Sequence, residues 1–352
     1  MIVMMMMVMM VFHSRIRLSV AEIGGCVQSS GDVSYVPSES VYSVSDPVQT
    51  TACDPFEKVL SVYGIILVGN SNPSSNNQDV TDDMMKWIAH TVTELFPSTA
   101  TDIQAQQNVL EKMYTYKAAI PVFSPTMADD MEPARNYLSM CDTITVGNPE
   151  FNANDQVMEI FEHLLHIISD VGLHYASPTK WSITDTSSDL YAAMEEAIDA
   201  GIYDVSSYSN IDESAVRMRI ELQEFAYWSL STVLGVHEAY FEGTAAPEWT
   251  LSTASEVYAQ LPLFSALHNA TTATFMAAPS TSTTNSLKTL ISSVTSDTPT
   301  WPIVSPGRSN AIVNLSSTSC GYTGVGSGPT NDSESSSTDD MALILGIGVA
   351  AL

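Results

Sequence analysis

Two histidines and a run of carboxylates share one short stretch, DQVMEIFEHLLHIISD, residues 155–170. Wound as a helix at roughly 100° per residue, it gathers Asp155, Glu159, Glu162, His163, His166 and Asp170 into one arc, leaving Ile160, Phe161, Leu164, Leu165, Ile167 and Ile168 opposite. Glu159→His163 and Glu162→His166 are i,i+4 pairs, so carboxylate and imidazole on successive turns can converge on a divalent cation. No Lys or Arg lies in the stripe, and a cation would relieve the repulsion among its acids. The plainer alternative is an amphipathic helix with its polar face in water. Gly172 predicts the stop of this helix, and His174 beyond it can bring back a third imidazole. A second donor comes from IELQEFAYWSL, residues 220–230, where Glu224 shares a face with Glu221, Tyr227, Trp228 and Ser231. A carboxylate beside Trp and Tyr is partly desolvated, which is unusual unless it is paired or metal-bound. The chemistry implied is a Zn2+ site with His163, His166, Glu224 and His174 as candidate ligands. Glu162 would be the base that activates a metal-bound water, with Tyr227 as the second catalytic candidate.

Other chemistries lack their residues. There is no GxSxG elbow before the tail, no phosphate-binding glycine loop and no EF-hand loop. Zincin metalloproteases place two His and a Glu on one helix, and this chain is similar in parts. It has neither HExxH nor HxxEH, a departure that weakens a peptidase assignment more than metal binding. FEHLLHIISDVGLHY, then QEFAYWSLSTVLG and PEWTLST, resemble a little-studied family of secreted acidic proteins with a Glu-x-x-x-His helix and a Glu-aromatic-x-Tyr-Trp helix. The resemblance covers roughly 150–280. It singles out Glu162, His166, Glu224, Tyr227, Trp228 and Glu248, with His163 where that family often has a carboxylate. It implies no established activity.

The elements that must carry these residues are mostly helices. Helical periodicity fits DMMKWIAHTVTELF after Thr81 or Asp82, IQAQQNVLEKMYTYK, MEPARNYLSM, NDQVMEIFEHLLHIISD, SDLYAAMEEAIDA and ESAVRMRIELQEFAYWSLSTVL, the last two stopped by Gly201 and Gly235. Thr253 to Glu256 is a capping box. Strand signals are confined to EKVLSVYGIILVGN and AAIPVF, and SLKTLISSV is the last periodic run. The expected class is mainly α (α+β with a small sheet): a signal-like segment at 1–21, a linker at 22–53, one helical domain at 54–305, a Ser/Thr-rich stalk at 306–340 and an apolar tail at 341–352.

The 352 residues are 45% apolar, which suffices for a large core, but only 15% charged, and 12 Lys+Arg against 40 Asp+Glu leave −28. That sign excludes binding to nucleic acid and to anionic lipid surfaces. MIVMMMMVMMVF is too short to span a bilayer and matches the apolar part of an export signal. SGPTNDSESSSTDD followed by MALILGIGVAAL has the pattern of a GPI attachment signal. Cys26, Cys53, Cys141 and Cys320 suggest two disulfides in an export context, with Cys26–Cys53 and Cys141–Cys320 the expected pairing. Asn269, Asn314 and Asn331 head glycosylation sequons. The expected protein is secreted or surface-attached and touches membrane only through its termini. It is either a zinc-dependent hydrolase acting on an extracellular substrate or a non-catalytic acidic protein that binds Ca2+ or a surface partner.

Overall fold

The computed structural model describes residues 41–42, 44–53, 56–69, 80–123, 139–140, 142–146, 151–241 and 244–289. Helices dominate, and a small mixed sheet closes one side, in agreement with the α+β expectation. Strands β1 (Val48–Cys53), β2 (Phe56–Val62) and β3 (Ile65–Gly69) form an antiparallel meander. β4 (Ala118–Phe123) runs parallel to β3 and pairs in parallel with the short β5 (Ser139–Met140) and β6 (Ile144–Thr145). EKVLSVYGIILVGN is thus a hairpin rather than one strand. Tyr63 and Gly64 turn it with φ of 45° and 81°, the two positive values of a primed turn. A Cβ at Gly64 would sit 2.5 Å from the Leu110 carbonyl oxygen. Only glycine admits that helix so close.

Two expectations change here. β1 and the buried Val41, Tyr42 and Val44 lie within the stretch read as linker, so the folded unit begins before residue 54. Ser139–Met140 is a strand, not the end of a helix, because β4 offers an edge to pair with that local propensity cannot foresee.

The sheet is covered by α1 (Asp82–Leu95) and α2 (Ile103–Thr115). Thr81 caps α1 by accepting the Met84 N–H, and Met85, Ile88, Val92 and Leu95 form its buried stripe. Next come α3 (Ala153–Ile167), α4 (Asp189–Asp199), α5 (Ser214–Val233), α6 (Val236–Tyr240), α7 (Ala254–Gln260), α8 (Pro262–Asn269) and α9 (Thr281–Thr289). α3 is the hub: it packs on β4 and β6 on one side and on α5, α6 and α9 on others. Its apolar residues Phe161, Leu164 and Leu165 join one continuous core, as does Ile168 just beyond it. Gly172 does not stop the helix. The chain passes into a π-helical turn, Ile168–Leu173, before a last short turn at His174–Ala176. Gly172 instead allows close approach to α2, since a Cβ there would meet Val109 at 2.8 Å and Met113 at 3.1 Å.

No helix among the described residues is long and apolar enough to cross a membrane. The expected export signal, stalk and tail, and the sequons at Asn314 and Asn331, lie outside the described residues, as do Cys26, Cys141 and Cys320.

Candidate metal centre

The acidic arc of α3 turns inward. Glu162, His163, His166 and Asp170 are all buried, His166 and Asp170 completely. A solvated polar face is therefore not what this stripe forms. Asp155 stays local, closing a capping box with Asn152, which accepts the Asn154 and Asp155 N–H groups. That cap sets where α3 begins, and Gln156 and Glu159 tie its first turns to Thr145 on β6.

Glu162 and His166 on α3 face Glu224 on α5, and one donor atom from each lies within 4.8 Å of the others. His166 Nε2 points into this group, 3.6 Å from Glu224 Oε2, with no hydrogen-bond partner among the described residues. Its other nitrogen, Nδ1, is 3.0 Å from Asp142 Oδ2 and 2.9 Å from the Gln223 amide. With Nδ1–H donated to the Asp142 carboxylate, Nε2 is the nitrogen that would give up its proton and offer a lone pair to a metal. The Gln223 amide then has to turn its oxygen toward the ring, because two donors cannot share the contact.

A second group, Asp142, His163 and His166, also has donors within 4.8 Å of one another. Here both ring nitrogens of His163 already have carboxylates beside them. Nδ1 is 2.9 Å from Asp142 and Nε2 is 3.0 Å from Glu159. Burial lowers the affinity of His163 for a proton, but Asp142 and Glu159 outweigh it and hold the pKa well above the usual imidazole value. His163 is thus an imidazolium clamped between acids, and Asp142, despite its burial, is kept well below the ordinary carboxylate range by His163 and His166.

The first group has the opposite balance. Burial and the neighbouring Glu224 push Glu162 well above the usual value, and His163 and His166 offset this only in part. Burial lowers His166, but Glu224 and Asp142 more than compensate and carry it up to about 10. Without a metal the pocket holds protons where a divalent ion would otherwise place its charge.

The remaining expected residues divide between the cluster and its surroundings. The ring of Tyr227 stands edge-on to His166, centroids 5.7 Å apart, and burial together with Glu162 and Glu224 keeps its phenol protonated far above neutrality. His174 belongs to neither group. Its Nδ1 accepts the Ile183 N–H at 3.3 Å, and burial and Arg219 lower its pKa, so it is a neutral structural acceptor rather than a third ligand. Glu248 accepts hydrogen bonds from the Tyr208 hydroxyl and from Trp228 Nε1, the latter at 3.1 Å. Burial and Glu224 raise its pKa to about 7. Asp142 and Gln223 carry no sequence expectation. Asp142 stands just before β6, in a stretch without a clear period, and a lone carboxylate there gives no signal. Gln223, between Arg219 and Tyr227 on one face of α5, gives no signal of its own.

No protein-family model, no curated protein and no solved structure matches this chain.

Proposed function

We propose that this protein binds one divalent metal ion through Glu162, His166 and Glu224 and uses it in hydrolysis, with Zn2+ the favoured ion. The observation that carries the reading is His166 Nε2: fully buried, unbonded among the described residues and facing two buried carboxylates. Coordination would replace the proton that Glu224 and Asp142 otherwise hold on His166. Three protein donors leave room for water or substrate, as in catalytic rather than closed structural zinc sites. Once bound, such an ion supplies a Lewis acid and acidifies water.

The chain's own groups complete the site. Asp142 orients the His166 ring, His163 neutralises Asp142 and Glu159, and Tyr227 offers a phenol that can give a hydrogen bond but not lose its proton at neutral pH. In this arrangement Glu162 is a ligand, not the free base expected from the sequence. The calcium-binding alternative finds less support, since Ca2+ takes oxygen ligands and the central donor here is an imidazole nitrogen. Secretion and surface attachment belong to the same proposal and rest on the terminal sequence patterns.

Metal quantification tests the reading. Protein purified without added metal and then exposed to zinc should hold about one ion per chain, and Glu224→Gln should lose it while staying folded. Two carboxylates make a harder site than two imidazoles, so Mn2+ competition is part of the assay. A wild-type protein that takes up no ion would end the proposal.

A further inference from the structure

Arg219 lies on α5 one helical turn before Gln223, whose amide touches His166. Its Nε and Nη2 are shut off from solvent and have no hydrogen-bond partner among the described residues. Nε–H and Nη2–H form one edge of the guanidinium, two parallel donors spaced for the two oxygens of a carboxylate. A buried donor left unmatched is costly, and more so on a group that is always charged. Asp170 Oδ1 is taken up by the Ser169 hydroxyl at 3.1 Å.

We propose that the Nε/Nη2 edge of Arg219 docks a carboxylate carried by the substrate, one turn along α5 from Gln223, the residue whose amide touches His166. A planar monoanion fits better than a phosphate dianion, because Asp170, Glu162, Glu224 and a net charge of −28 penalise a second negative charge. The substrate class is a peptide or acylated acid that carries a free carboxylate. That substrate class rests on the hydrolase reading, whereas the carboxylate site does not.

The test is NMR of the Arg Nε–H signals of the full chain, with Arg219 assigned by its loss in R219K. Metal is first removed with chelator, and sodium acetate is titrated against acetamide and against sodium chloride at equal ionic strength. Acetate alone should shift the Arg219 signal saturably. R219K, which keeps the charge but loses the fork, should bind acetate at least tenfold more weakly, read from the acetate dependence of thermal stability, with zinc stoichiometry unchanged. No acetate-specific shift, equal acetate binding by R219K, or saturation by inorganic phosphate at lower concentration than acetate would each overturn the site. Should R219K not fold, R219Q serves for assignment, and the wild-type contrast between acetate and acetamide decides. Zinc uptake measured on the same samples separates the two readings. Acetate binding without zinc uptake removes the hydrolase and keeps the carboxylate site, and zinc uptake without an acetate shift does the reverse.

Discussion

At the scale of single residues, metal binding turns on which nitrogen of His166 keeps its proton when the other gives its proton up. Asp142 decides this by accepting from Nδ1 at 3.0 Å, and it does so from a segment close to the sheet rather than from either ligand-bearing helix. Asp142→Asn can present an amide N–H to the same nitrogen and favour the tautomer with its proton on Nε2. Zinc affinity should then fall about 10–100-fold, the usual penalty for losing an outer-shell carboxylate, while the fold survives. Isothermal titration with zinc measures this directly, and an unchanged affinity would make Asp142 a packing residue only. A second residue-scale expectation concerns His268, remote in sequence from the cluster. It stacks on Phe264, its Nδ1 lies 2.7 Å from the Thr272 hydroxyl, and burial lowers its pKa to about 4. Because the folded pKa lies below the unfolded value of about 6.5, the unfolded chain binds the proton more readily in between. Its contribution to stability is whole above pH 6.5 and is lost as pH falls toward 4, by up to about 3 kcal/mol. Chemical denaturation across that range should show a shallower acid limb in His268→Gln, and identical limbs would refute the assignment.

Among the elements, the join between α3 and the π-helical turn matters most. It carries His166 and Asp170 on one continuous coil, and π turns are frequent at functional sites. Gly172→Ala forces a methyl against Val109 and Met113. Overpacking of this kind costs about 1–3 kcal/mol. Urea unfolding should report that loss, and a neutral effect would mean that α2 yields at no cost. Much of this layer is legible in the sequence. The 3.6-residue periods of α1, α3 and α5, the Thr253 box on α7 and the glycines after α4 and α5 all have local physical causes. The convergence of Glu162, His166 and Glu224 can be suspected because the α3 stripe sets its acids beside two histidines with no Lys or Arg among them. What escapes depends on distant chain. The pairing of β5 and the capture of the presumed linker as β1 are decided by sheet edges, and the contribution of Asp142 by tertiary placement. Gly172 reads locally as a stop, and only the proximity of α2 gives it another purpose.

For the whole molecule, a chain of net charge −28 has gathered carboxylates from α3, α5 and the β5–β6 connection around buried imidazoles. Such an arrangement has much to gain from a resident cation. Chelation should therefore destabilise the loaded protein by roughly 3–4 kcal/mol when free zinc stood at 100–1,000 times its dissociation constant, a shift that calorimetry can follow. The same charge distribution distinguishes the two donor groups. In one, His166 Nε2 stands 3.6 Å from Glu224, and in the other the two nitrogens of His163 are held at 2.9 and 3.0 Å by Asp142 and Glu159. Anomalous diffraction at the zinc edge from crystals of the zinc-loaded protein separates them most directly. A single peak within bonding distance of Glu162, His166 Nε2 and Glu224 is the expected result. No peak, or a peak among Asp142, His163 and His166 Nδ1 instead, would contradict the proposed centre.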